Sequence, residues 1–271
     1  MSAWAHGRRR YVNGRWGQVH LREWGDGAPL VLLHQTPWSS VQFHRAASLL
    51  AAAGFRVIAP DTPGYGLSDA PPGQPTIDDY ADNLALALSD LGIERAIIGG
   101  HHTGALIAAS LAARRPGLVE RLILDNPPFY SEEERLQRQS LPHATHPPIE
   151  GGGHFTDRWA FLRRLADPAM TADTLSLAIT AFHVNASGAD FGHAAAYAWA
   201  LAPALPSIVA PTLILSSLND PIHGHGARLI EARPDWNRIV IDGGSANVLE
   251  RPSQWTDAFR AFIDHRIQPD G

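Results

Sequence analysis

The sequence predicts an α/β domain: a mostly parallel central sheet flanked by helices, with a helical cap inserted into it. Three observations carry that expectation. Short, continuous apolar runs alternate with segments of helical spacing through residues 29–125, the alternation breaks over 127–206, and it then resumes to the C-terminus. Apolar runs buried on both faces, each followed by a helix, are what βαβ crossovers in a parallel sheet require.

The elements follow in order. Residues 10–24, RYVNGRWGQVHLREW, alternate about Asn13-Gly14, which reads as a hairpin with its turn at that pair. PLVLLH (29–34) and FRVIAPD (55–61) read as buried strands, joined by a helix that ends on Gly54. In 76–92, Ile77, Tyr80, Leu84, Leu88 and Leu91 recur at steps of three and four, the period of an amphipathic helix. RAIIGG is a strand, TGALIAASLAARRPG a helix and VERLILD (119–125) a strand. Residues 127–206 carry Pro and Gly pairs and three helix-like pieces but no strand pattern, and are assigned to the cap. PTLILSS (211–217), GHGARLIEARP, RIVIDGG (238–244) and PSQWTDAFRAFIDHRI restore the strand–helix order. The core is therefore expected at 1–126 and 207–271, with the cap at 127–206.

Composition excludes several functions. A net charge of −5 and the single short basic run Arg8-Arg9-Arg10 leave no basic stripe for nucleic acid. With no cysteine, disulfides, thiolate ligands and a cysteine nucleophile are excluded. The N-terminus lacks the apolar segment of a signal peptide, and no stretch approaches the ~20 apolar residues that span a bilayer. The expectation is a cytoplasmic protein with a small-molecule substrate, no nucleic-acid or membrane partner and no cofactor; a homodimer stays open.

Gly100-His101-His102-Thr103-Gly104 follows an apolar strand and opens an alanine-rich helix. Glycines two residues either side of the central position suit a sharp strand-to-helix elbow that presents one side chain. Here that side chain is the imidazole of His102. Together with LLHQTPWSS, APDTPGYGLSDAP, PTLILSSLNDPI and IDGGSANVLERP, this stretch resembles the α/β-hydrolase family from about Gln18 to Ile267. The resemblance implies the α/β-hydrolase fold. It places Asp220 as the triad acid, Ser245 where the triad histidine normally stands, and His102 where the serine stands. It also implies backbone oxyanion donors at Thr36 and Thr103, with Gln35 in a position that is usually glycine.

Imidazole, hydroxyl and carboxylate are thus all retained, with two of them exchanged. His102 is expected as general base or nucleophile, with Ser245 bonded to it and Asp220 behind Ser245. His34, Gln35, Trp38, His101 and Asp125 are expected around the substrate. Ester, lactone or C–C bond hydrolysis is the first reading. Lyase-type cofactor-free chemistry and a non-catalytic binder are the alternatives. His101, His102, His223, His225, His34 and Asp220 are of metal-ligand type, but their spacing matches no ligand motif, and no metal is expected. His143, His146, His154, His183 and His193 are expected at the surface or rim of the cap.

Overall fold

The computed structural model describes residues 7–141, 147–184 and 190–264. The strands are β1 (Arg8–Gly14), β2 (Gly17–Trp24), β3 (Ala28–Leu33), β4 (Phe55–Pro60), β5 (Ala96–His101), β6 (Val119–Asp125), β7 (Thr212–Ser217) and β8 (Asn237–Ile241). They form one sheet in the order β1-β2-β4-β3-β5-β6-β7-β8. β2 runs antiparallel to β1 and β4, and β3 to β8 are mutually parallel.

The helices are α1 (His44–Ala52), α2 (Ile77–Asp90), α3 (Thr103–Arg114), α4 (Glu132–Ser140), α5 (Gly153–Leu165), α6 (Ala172–Val184), α7 (Phe191–Ala198), α8 (Gly224–Ala232), α9 (Asn247–Glu250) and α10 (Pro252–Ile263). Period-two alternation along the strands divides the apolar side chains between two layers. Val31, Leu33, Ile98, Leu122, Leu124 and Ile214 pack with α2 and α3. Leu30, Leu32, Ile97, Ile123, Leu213 and Leu215 pack with α1, α9 and α10. The strands read as continuous apolar runs because both of their faces are covered.

The first hairpin turns at Arg15-Trp16, not at Asn13-Gly14, since Gly14 pairs with Gly17 and Asn13 with Gln18. Tertiary contacts decide this. A Cβ on Gly14 would lie 2.6 Å from Asn83 Oδ1, so Gly14 is there for close approach to α2. Arg15 N–H donates to that same Asn83 oxygen at 2.7 Å. Gly17, at φ +123°, supplies the positive φ.

Between β6 and β7 the described residues hold only helices, α4 to α7 and two short 3-10 turns. α4 was not expected from the sequence. It begins with a capping box in which Ser131 Oγ accepts from Glu134 N–H at 3.1 Å and Glu134 Oε2 accepts from Ser131 N–H at 2.7 Å. No described helix is long and apolar enough to cross a membrane.

Candidate active site

Strand order sets the location. β4 lies on one side of β3 and β5 on the other, so the chain reverses its direction of winding between β3 and β5. Their carboxyl ends leave the crevice where open α/β sheets bind ligands. Two loops meet there: residues 34–37 after β3, and the turn between β5 and α3.

His102 is the pivot of that turn, at φ 48° and ψ −113°. A non-glycine residue in this region stores roughly 1–3 kcal/mol of strain. The surroundings impose it. A Cβ on Gly100 would lie 2.1 Å from Gly104 O, and one on Gly104 would lie 2.1 Å from Leu33 O. Only glycine at both places lets α3 start so close to β3 and β5. His102 N–H donates to Asp125 O at 3.0 Å, and His102 O accepts from Ala105 N–H at 2.9 Å.

The His102 ring reaches Asp220 directly, with Nε2 and Asp220 Oδ2 2.8 Å apart. The Asp220 side chain is fully buried, whereas that of His102 keeps 22% of its exposure. Asp220 Oδ1 accepts from Ile222 N–H at 2.9 Å, which fixes the carboxylate. Burial works against charge on both partners, but their mutual attraction outweighs it. The His102 pKa is raised, by Asp220 and then Asp125, and that of Asp220 is lowered, by His102 and then His101. A carboxylate only accepts, so the proton between them sits on Nε2. Among the described residues no hydrogen bond occupies Nδ1 of His102.

This corrects the expected order of contacts. Ser245, half-buried on the loop after β8, does not stand between Asp220 and His102 and makes no side-chain hydrogen bond among the described residues. The reason is reach. The exchange puts the long ring on the elbow, where it spans to Asp220 unaided, and leaves a hydroxyl one bond from Cβ on the far loop.

His101 underlies His102, the two rings stacked 4.3 Å apart at 8°. His101 Nδ1 donates to Asp125 Oδ2 at 2.8 Å, and Trp255 Nε1–H donates to the same oxygen at 2.8 Å. Asn126 Nδ2 donates to Asp125 Oδ1 at 3.0 Å, and Asn126 Oδ1 accepts from Ser217 N–H at 2.8 Å. Asn247 Nδ2 donates to Ser217 Oγ at 2.9 Å, tying in the loop after β8. Asp125, expected beside the substrate, is thus consumed in supporting His101. Sequence reasoning missed Trp255, Ser217 and Asn247. Asn126 carried a readable signal, since asparagine after a strand tolerates the left-handed backbone it adopts at φ 44°.

The loop after β3 is equally tied. His34 Nδ1 donates to Gln35 O at 2.8 Å, and its Nε2 accepts from Thr62 N–H at 2.9 Å, so its tautomer is fixed. Burial lowers the His34 pKa and keeps it neutral. Gln35 N–H donates to Gln42 Oε1 at 3.0 Å. Asp61 accepts from Ser40 N–H at 2.6 Å and Leu67 N–H at 2.9 Å and pairs with His20 at 2.7 Å, bracing the next loop. Trp38 belongs to the apolar cluster that holds Ala178 and Ala181 of α6. The N–H groups of Thr36 and Thr103 have no acceptor among the described residues.

One atom each from His101, His102 and Asp220 gathers within 4.8 Å, the spacing of a metal site. The rings do not fit one ion. A metal lies in the plane of the imidazole it binds, and two planes stacked at 8° do not converge on a common point. His223 Nδ1 lies 3.1 Å from Ser217 O, and His225 Nδ1 accepts from Phe129 N–H at 2.9 Å, so both are engaged elsewhere. His154 is buried in α5, and His193 pairs with Asp190 at 2.6 Å. His143 and His146 lie outside the described residues.

Known proteins share this architecture. An enol-lactonase from Burkholderia xenovorans LB400 superposes with a TM-score of 0.79 at 25% identity, over 94% of this chain and 100% of that one. The 2-(acetamidomethylene)succinate hydrolase of Mesorhizobium japonicum is 28% identical over 268 residues, 91% of each chain. The AB hydrolase superfamily protein YfhM of Bacillus subtilis is 37% identical over 123 residues, 44% of this chain. Similarity to that protein, to the "Putative non-heme haloperoxidase" of Mycobacterium phage D29 and to epoxide hydrolase 3 of Siraitia grosvenorii spans only 43%, 36% and 36% of their lengths. The match to the alpha/beta hydrolase fold family covers residues 28–250, from β3 through the elbow, Asp220 and Ser245, and the chain belongs to that family.

Proposed function

We propose that the protein hydrolyses a small, partly apolar carbonyl compound, an ester, a lactone or an activated C–C bond. The substrate sits between the carboxyl ends of the sheet and the helices of residues 127–206, which act as its cap. The observation that carries this reading is a strained, partly exposed imidazole bonded at 2.8 Å to a buried carboxylate. The hydrolytic names of full-length relatives in the same family support it.

In this mechanism Nδ1 of His102 takes a proton from water as the water oxygen bonds to the carbonyl carbon. Asp220 holds the other ring proton and stabilises the imidazolium that forms. The electron pair displaced onto the carbonyl oxygen is met by the N–H groups of Thr36 and Thr103, which need no side chain and survive the exchange at position 102. Collapse returns the Nδ1 proton to the leaving group. Ser245 serves as a polar contact for water or substrate.

His102→Ala should lower kcat/KM on a panel of aryl esters and lactones by about 10²–10⁴-fold, the usual contribution of a placed base, without lowering Tm. A fluorophosphonate should leave the elbow unlabelled. Undiminished turnover by the variant would overturn the assignment.

A further inference from the structure

The inward face of α5 carries a cation where its pattern calls for an apolar residue. His154, Arg158, Phe161 and Leu162 form the buried or half-buried stripe of that helix, at steps of three and four. Arg158 is only 6% exposed. Its guanidinium lies 4.0 Å from the ring centre of Phe182 on α6 and 5.2 Å from that of Phe161. It forms no ion pair with a carboxylate of the described residues, and Nε is buried with no hydrogen-bond partner. Desolvation lowers its pKa to about 10, and the charge of Asp190 offsets part of that. A buried cation left without a bonded counter-charge is strongly destabilising. Other arginines show the ordinary solution: Arg163 Nη1 donates to Met170 O at 2.6 Å, and Arg228 bonds Glu134 at 3.1 Å.

The neighbours of Arg158 lead towards the loop after β3. Leu162, one turn further along α5, packs in the cluster that joins Trp38 to Ala178 and Ala181 of α6, and Trp38 is two residues from Thr36. Asp190, whose charge Arg158 feels, opens the segment that rests on the loop: Gly192 N–H donates to Tyr65 OH at 2.8 Å, and Tyr65 bonds Thr36.

From this placement we propose that Arg158 is an anion-binding residue of the site and that the substrate is a carbonyl compound bearing a carboxylate. The inference rests on the hydrolytic reading above and narrows its substrate class. A guanidinium held against aromatic faces keeps its N–H edge for a planar, bidentate partner, which a carboxylate matches and a neutral ester does not. Such a partner would supply the missing counter-charge only when substrate is bound.

Binding can be read apart from turnover. Laevulinate (4-oxopentanoate) and 5-hydroxypentan-2-one, which carries a neutral alcohol in place of the carboxylate and has no ester to cleave, are titrated calorimetrically into the wild-type protein, His102→Ala and Arg158→Met. Wild type and His102→Ala should both prefer the acid over the alcohol by about tenfold or more. Arg158→Met, which keeps the stem packing, should lose that preference while its affinity for the alcohol is unchanged. Equal affinity of the wild type for acid and alcohol overturns the proposal without reference to any variant. So does a preference that survives in Arg158→Met or vanishes in His102→Ala. If the Arg158-dependent preference holds while His102→Ala retains full ester turnover, the hydrolytic mechanism fails and the anion site stands.

Discussion

At the scale of single residues the proposed mechanism turns on which nitrogen of His102 takes the proton. With Nε2 committed to Asp220 at 2.8 Å, only Nδ1 can act as base, and only when the ring is neutral. Asp220 raises the His102 pKa above its ordinary value, so the base form accumulates at higher pH than for a free imidazole. The rising limb of kcat/KM should therefore lie above about 6.5. Asp220→Asn removes the largest group that raises this pKa and leaves burial, which lowers it. The limb should move to lower pH, while the plateau drops because the ring proton is no longer fixed on Nε2. A pH profile of the variant unmoved from that of wild type would show that a group other than His102 titrates in the rate. The same attraction sets a stability term with a definite sign. A histidine whose folded pKa is raised stabilises the protein below the unfolded value and ceases to do so as pH rises through the folded one.

At the scale of elements the elbow is a packing problem solved by two glycines. Gly100→Ala drives a methyl into backbone 2.1 Å away at Gly104 O, and backbone cannot yield as a flexible side chain can. The expected cost is about 1–3 kcal/mol, with loss of activity as the imidazole is displaced. Gly117→Ala, where an added methyl meets nothing within 4 Å, is the matched control and should leave Tm nearly unchanged. Equal Tm values for the two variants would mean that the elbow relaxes freely. Much of this geometry was legible in the sequence, because β3 to β7 read as apolar runs and the glycines at 100 and 104 stand between an apolar strand and an alanine-rich helix. What escaped depends on contacts remote in sequence. The hairpin turn shifted by two residues because Asn83 on α2 captures Arg15 N–H. The direct bond from His102 to Asp220, with no serine between, follows from side-chain reach across two strands, which no local pattern encodes. α4 was missed although Ser131 and Glu134 stand at capping-box spacing, because no apolar stripe follows them.

At the scale of the whole molecule, several buried titratable groups couple stability to acid. His225 accepts from Phe129 N–H at 2.9 Å, where the chain leaves β6, and burial followed by the charge of Arg228 pushes its pKa down to about 4. His34 is lowered for the first of these reasons. For a histidine whose folded pKa is depressed, the stabilisation is complete above the unfolded value near 6.5 and disappears as pH falls through the folded value. Asp61 and Asp220 are lowered below the ordinary carboxylate range, so their contribution persists further and is lost only at still lower pH. Tm should consequently fall in two stages on acidification: between about 6.5 and 4 as His225 is forced to charge, with His34 acting in the same direction, then again below about 4 as the carboxylates protonate. For His225 a displacement to about 4 corresponds to a contribution on the order of 3 kcal/mol, removed across the first stage. His225→Asn separates this residue from the rest, since the amide oxygen can stand where Nδ1 accepts from Phe129 N–H and does not titrate. Calorimetric scans across this range should give the variant a shallower decline than wild type, with the two curves parallel below about pH 4. Identical slopes in both proteins would show that His225 charges without penalty and that the carboxyl end of β6 opens to water well before the fold is lost.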